Sequence, residues 1–217
     1  MNKVVYTAIL DNYEGLKQNQ ANKGADFIAY MSYPVNSEMW QVKEPINVFS
    51  NPRRNARWHK VNAHLLDYDY SLWIDGSMEI KQPIDWFIEN HLKDADIAVF
   101  RHPDRNCLYQ EAEVCSKIGF DDPNIIEKQV KRYKNEGYPE ENGLGETKIV
   151  LRKHSPKVEE FNRLWLHEIT NFSLRDQISF NYCVWKSGIK LNYIELLPEA
   201  IWDRYPGCLY TKHKRVI

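Results

Sequence analysis

The sequence predicts a single α/β domain whose central sheet is mostly parallel and flanked by helices. Three observations predict it. Short runs rich in β-branched and aromatic residues alternate with segments of helical period, so successive strands are joined by crossovers rather than hairpins. The 217 residues, 43% of them hydrophobic, suffice for one substantial core. No internal repeat or low-complexity segment divides the chain, which reads as one domain over residues 1–217.

The first strand is KVVYTAIL, which ends at the polar loop Asp11-Asn12-Tyr13-Glu14-Gly15; the second is DFIAYMS, stopped by Pro34. Arg53 to Leu66 reads as a helix, with Trp58, Val61 and Leu65 at i, i+3 and i+7 as a packing stripe. Arg53, Arg57 and Lys60, at i, i+4 and i+7, make the neighbouring face cationic. YSLWI follows as a strand, PIDWFIENHL as a helix and ADIAVF as a strand leading into Arg101-His102-Pro103. His102 belongs either to a cleft or to a turn.

Residues 104–141 read as a helical subregion with two helices, CLYQEAEVCSKI and PNIIEKQVKRYKNEG, bounded by Asp121-Asp122-Pro123 and Tyr138-Pro139. TKIVLRKH is a strand. Ser155-Pro156 then opens the helix KVEEFNRLWLHEIT, with Val158, Phe161 and Leu164 or Trp165 at helical spacing. RDQISFNYCVWKSG is a helix with Ile178, Tyr182 and Trp185 on one stripe and Gly188 to end it. KLNYIELL is a strand before the basic close Lys212-His213-Lys214-Arg215. Trp73, Trp165 and Trp185 are expected in the core, and Trp40, Trp58 and Trp202 remain candidates for stacking on a sugar.

Composition excludes several classes. With 29 basic against 30 acidic residues, nothing favours bulk binding to nucleic acid or a membrane surface. Cys107, Cys115, Cys183 and Cys208 lack C-x-x-C spacing, so buried free thiols are expected rather than a zinc knuckle or redox pair. No apolar run reaches the roughly 18 residues that span a bilayer, and a cytoplasmic protein without an integral membrane segment is expected. Neither G-x-G-x-x-G nor G-x-x-x-x-G-K-[ST] occurs, which disfavours a dinucleotide or P-loop enzyme.

The chemistry concentrates at SLWIDGSMEI. Asp75-Gly76 ends an apolar run, placing one carboxylate at a strand's carboxyl end, where ligands of open α/β sheets collect. Such an acid closes a turn or holds a hard cation or a ribose. The loop after the first strand, the cationic helix, Asp75 and the Asp176-Gln177 helix start fall at the same end. Together they suggest a nucleotide-diphosphate site. Arg57 would supply bidentate hydrogen bonds, Lys60 a point charge, and a divalent ion on carboxylate and imidazole the remaining neutralisation. Read without any relative, Asp176 is a helix cap before it is anything else.

Four ordered blocks, ARWHKVNAHLLDYDYSLWIDGSMEI, RHPDRNCLYQEAEVC, GLGETKIVLRKH and RDQISFNYCVWKSG, resemble a GT-A glycosyltransferase. More narrowly, the chain resembles the glycosyltransferase-like family related to plant mucilage and turgor-defence proteins, from about Val5 to about Gly188. The resemblance implies a Rossmann-like GT-A domain with the 104–141 subregion on the acceptor side. It also implies transfer of a hexosyl or pentosyl group from a nucleotide-diphosphate sugar, UDP first, to an acceptor hydroxyl on a glycan or glycoconjugate, as in polysaccharide biosynthesis.

A wider similarity to family-eight glycosyltransferases assigns roles. It implies that Thr7, Ala8, Asp11 and Tyr13 hold the nucleoside, and that Asp75-Gly76-Ser77 stands at an acid-x-acid motif for metal and ribose. Ser77 takes the place of the second acid. Asp176-Gln177 resembles a D-Q element facing the anomeric carbon and acceptor, Glu146 a sugar-contacting residue before a strand, and His213 the histidine completing the metal site. The implied cofactor is Mn²⁺ or Mg²⁺ on Asp75, Ser77 and His213, which with Arg57 and Lys60 would offset the leaving diphosphate. Asp176 is then either base or electrostatic support, and inversion and retention both stay open. Ser77 motivates the alternative, a catalytically silent glycan- or nucleotide-binding protein of the same fold.

Overall fold

A computed structural model describes residues 1–21, 23–197 and 205–211. Seven strands form the main sheet in the order β3-β2-β1-β4-β7-β6-β8: β1 (Lys3–Ile9), β2 (Asp26–Met31), β3 (Gln41–Lys43), β4 (Tyr70–Ile74), β6 (Ile97–Arg101), β7 (Gly145–Lys153) and β8 (Leu191–Ile194). Every pairing is parallel except those of β7, which runs antiparallel to β4 and β6. Two further strands, β5 (Met78–Ile80) and β9 (Cys208–Tyr210), pair with each other beside it.

The helices are α1 (Pro52–Val61), α2 (Ile84–Phe87), α3 (Leu108–Lys117), α4 (Pro123–Asn135), α5 (Pro156–Asn171) and α6 (Asp176–Ser187). Their starts follow local chemistry. Asn51, Asp122 and Ser155 accept backbone N–H groups of the first turns of α1, α4 and α5, each followed by proline, whose missing N–H costs nothing there. Gly188, at φ 62, ends α6 in the left-handed conformation.

The sheet is covered on both faces, which is why β1 and β4 read as nearly continuous apolar runs. One core contains Tyr6, Trp73, Phe161, Trp165 and Phe180; the other contains Val5, Leu72, Ile74, Phe87 and Phe100. The chain leaves β1 for β2 on one side and returns to β4 on the other, so strand order reverses between β1 and β4. The crevice outside their carboxyl ends is the switch point where such sheets bind ligands.

Several expectations change. The helix expected over Arg53 to Leu66 ends at Val61, followed by one 3₁₀ turn (Ala63–Leu65), and Leu65 is 62% exposed. The buried face of α1 carries Asn55, His59, Lys60 and Val61. Polar residues lie inward because they have partners: Asn55 accepts the N–H groups of Val48 and Phe49, and His59 that of Ile46. The helix expected in PIDWFIENHL is one α turn running into a π turn (Ile88–Leu92).

Trp185 is 37% exposed at the rim of Tyr138 and Tyr182 rather than in the core. Trp40 is buried and donates its indole N–H to the Lys17 carbonyl, so it offers no face to a sugar. Trp202 lies outside the described residues. The four cysteines are buried and free, and no helix among the described residues is long and apolar enough to cross a membrane.

Candidate functional site

At the switch point β4 delivers Asp75. Its backbone N–H still bonds to β7 through the Lys148 carbonyl at 2.8 Å, so the residue is held as an extension of the strand. Its Oδ1 accepts the Trp73 indole N–H at 2.7 Å, and 24% of the side chain is exposed. Lys60 approaches from α1. Its ammonium donates to Asp176 Oδ2 at 2.6 Å and to Thr147 Oγ1 at 3.1 Å, and lies 3.4 Å from Asp75 Oδ1.

Arg57, one turn earlier on α1, brings its Nε to 3.0 Å from Asp176 Oδ1. The Thr147 hydroxyl donates to Asp176 Oδ2 at 2.9 Å. The side chains of Lys60 and Asp176 are only 1% and 3% exposed. Two carboxylates and two cations therefore neutralise one another in a largely dry site, where any one alone would be costly.

Asp176 is the first residue of α6, and no side chain caps that helix. It is not the cap but the centre of the cluster. Burial pushes its carboxyl up, yet the Arg57 guanidinium and Lys60 ammonium beside it hold it well below the usual carboxylate range. Its carbonyl accepts the Trp165 indole N–H at 3.0 Å, fixing the start of α6 against α5.

The remaining predicted residues divide. Thr7 and Ala8 are buried in β1, and the Thr7 hydroxyl has no hydrogen-bond partner among the described residues. Asp11 and Asn12 take positive φ at the turn after β1, where the Asp11 N–H donates to Ser32 Oγ. Tyr13, 42% exposed, lies close enough to act on the charge of Arg57. Gly76 sits in a close fit: a Cβ there would stand 3.0 Å from the buried Glu14 carboxylate and 3.1 Å from Ile9, so those side chains would have to give by a few tenths of an ångström. Gln177 is partly buried beside Asp176.

Glu146 is not brought to the cluster. Neighbours on a strand face opposite ways, and it is Thr147 that turns towards Asp176. Glu146 instead pairs with Lys148 and accepts the Tyr205 hydroxyl at 2.9 Å. His102 belongs to a turn: its Nδ1 accepts the N–H groups of Asp104 and Arg105 at 3.1 and 3.2 Å.

Ser77 is 1% exposed, and its carbonyl is taken by the N–H of Thr211 at 2.9 Å. His213 lies outside the described residues. Among the described residues no group of three or more His, Cys, Asp or Glu side chains is placed to hold a metal ion, and Asp75 already shares Oδ1 with Trp73 and Lys60. The described residues alone do not fit a divalent ion. Sequence reasoning names neither Trp73, two residues before Asp75 on β4, nor Thr147, on the antiparallel neighbour β7, as a site residue, although both lie within the ordered blocks.

A sequence profile described as TOD1/MUCI70, glycosyltransferase-like domain, matches residues 2–199. The probable hexosyltransferase MUCI70 of Arabidopsis thaliana is 34% identical over 168 residues, which are 71% of this chain and 29% of the plant protein. The chain thus matches under a third of that relative's length. The apo structure of the bifunctional glycosyltransferase WbbM superposes with a TM-score of 0.54 over 89% of this chain and 38% of that one, at 13% identity. That likeness is one of fold.

Proposed function

Because the chain belongs to the TOD1/MUCI70 glycosyltransferase-like family, we propose that it transfers a sugar from a nucleoside-diphosphate donor to an acceptor hydroxyl on a glycan or glycoconjugate. The observation that carries this reading is the buried charge cluster at the β1/β4 switch point, which opens to solvent through Arg57 and Asp75. A hexose carried on UDP is the first donor to test, in keeping with the name of the plant relative.

Cleaving the donor's glycosidic bond builds positive charge on the anomeric carbon and negative charge on the departing diphosphate. Arg57 meets the diphosphate, since a guanidinium matches two phosphate oxygens at once. Asp75, at the strand end with part of its carboxylate exposed, accepts from the ribose hydroxyls. The loop Asp11 to Tyr13 borders the nucleoside. These groups are held before substrate arrives, so little reorganisation is needed when charge develops. No step is assigned to a metal ion.

Thermal unfolding with UDP, GDP, CDP and their sugars, each with Mn²⁺, Mg²⁺ or EDTA, tests the reading. One nucleotide is expected to raise the melting temperature, by the equivalent of about 2.7 kcal/mol at a hundred times its dissociation constant. No rise at millimolar concentration with any of them would favour the catalytically silent protein, which the burial of Ser77 in place of an acid makes the second reading.

A further inference from the structure

On the reading that this site takes a nucleotide sugar, we infer that Asp176 is a positioning residue that clamps Arg57 against the donor's diphosphate, and is not the base that takes the acceptor's proton. A base must offer a lone pair within about 3 Å of the hydroxyl it deprotonates. Both oxygens of Asp176 are turned inward instead. Oδ2 receives Lys60 at 2.6 Å and Thr147 at 2.9 Å, and Oδ1 faces Arg57 at 3.0 Å, in a side chain 3% exposed.

The backbone leaves no slack either. The Asp176 carbonyl is held by the Trp165 indole at 3.0 Å and by the Ser179 hydroxyl at 3.2 Å, so the backbone cannot carry the carboxylate outward, and turning the side chain alone would break its ion pairs with Lys60 and Arg57. Basicity argues the same way. A proton accepted by Asp176 would strand the Lys60 ammonium in a buried site without the partner closest to it.

Arg57 is the member of the clamp that reaches out. Its side chain is 22% exposed, its one ion pair among the described residues runs through Nε, and its two Nη groups have no hydrogen bond among them. The ion pair of Nε with Asp176 Oδ1 at 3.0 Å holds the guanidinium beside that carboxylate, although Nε makes no aligned hydrogen bond, and leaves the Nη pair to match two phosphate oxygens. Lys60 has the complementary task. Its ammonium touches Asp75 just after β4, Thr147 on β7 and Asp176 on α6, so it sets the spacing between the end of β4 and the helix.

The test compares Asp176→Asn and Thr147→Val with the unsubstituted full chain. Nucleotide dissociation constants for UDP, GDP and CDP are measured by calorimetry, and kcat and KM for the matching sugar donor are followed across the neutral pH range. A clamp predicts that Asp176→Asn weakens nucleotide binding about tenfold or more and raises KM, with the shape of the pH profile kept. A base predicts unchanged nucleotide affinity, a kcat lower by about 10²- to 10⁴-fold and loss of the acidic limb, and that result overturns the inference.

Thr147→Val keeps the carboxylate and nearly the same volume, and serves where Asp176→Asn does not fold. Removing its hydrogen bond is expected to weaken nucleotide binding a few fold at constant kcat. Unchanged affinity with lowered kcat would again point to a base. If the unsubstituted chain binds none of the three nucleotides, the glycosyl-transfer reading itself fails and the clamp falls with it, an outcome distinct from failure of the clamp alone.

Discussion

Two buried carboxylates, Asp176 at the strand ends and Glu168 among the helices, have nearly the same surroundings and different prospects. Glu168 is fully buried in α5. Its Oε2 accepts the Tyr133 hydroxyl at 2.6 Å, the Gln129 amide at 3.3 Å and the Arg132 guanidinium. Arg132 is as much on the surface as Arg57, with 32% against 22% of its side chain exposed. Its Nη groups, however, are taken by Glu136 and Glu168, and its faces by Phe172, Tyr133 and Tyr182. Arg57 has one ion pair, to Asp176, and an open end. A buried ion pair therefore does not mark a site; a buried pair whose cation keeps unspent donors at a crevice does.

The largest test of that contrast is to remove each acid. Asp176→Ala strands Lys60 and Glu168→Ala strands Tyr133, Gln129 and Arg132, so each is expected to cost about 3–5 kcal/mol in denaturant unfolding. Nucleotide affinity, measured on the folded fraction, should fall only for Asp176→Ala. Equal losses in both variants would break the comparison, because the helical cluster would then be coupled to the crevice.

Acid titration separates the clusters from the rest of the fold. His59, stacked on Tyr30, and His154, bonded to Ser71 Oγ at 2.8 Å, are both lowered by burial to about 4. Their folded values lie below the unfolded one, so the folded state disfavours their protonation. The stability they allow is complete above the unfolded value near 6.5 and is lost as pH falls towards 4, by up to about 3 kcal/mol each. Asp176, depressed below its unfolded value, keeps its contribution through that window and loses it only at still lower pH. Replacing either histidine with glutamine should flatten the upper part of the acid limb in a pH series of unfolding midpoints. A limb unchanged in both variants would assign the loss elsewhere.

How much of this was legible follows physical lines. Asp75 was legible because a strand that ends in Asp-Gly announces where its last side chain goes, and the alternation of strands and helices announced the layered sheet. The reversal of β7 was not, since a strand reads alike in either direction and only its partners, β4 and β6, reveal its sense. Glu146 comes from the resemblance alone; because facing along a strand alternates, its side chain turns away from the cluster that its neighbour Thr147 joins. Lys60 was expected on a cationic surface beside Arg53 and Arg57. Helical spacing gives its direction but cannot show that two carboxylates wait inside, which is what draws the ammonium in.

The smallest structural change makes the sharpest distinction. Arg57→Gln removes the guanidinium but leaves Asp176 bonded to Lys60 and Thr147, so unfolding stability should move by less than about 1 kcal/mol, as for an ion pair with one partly solvated partner. Its counterpart Arg132→Gln withdraws a cation from Glu168 and from three aromatic faces, and should cost more, about 1–3 kcal/mol. Nucleotide affinity should respond in the opposite order, falling about tenfold for Arg57→Gln and not at all for Arg132→Gln. Calorimetric titration with the nucleotide that stabilises the unsubstituted chain, run beside denaturant unfolding of both variants, measures the two orders together. If Arg57→Gln bound that nucleotide as tightly as the unsubstituted chain, the exposed guanidinium would be a solvated surface charge like any other, and the openness that separates the two clusters would carry no function.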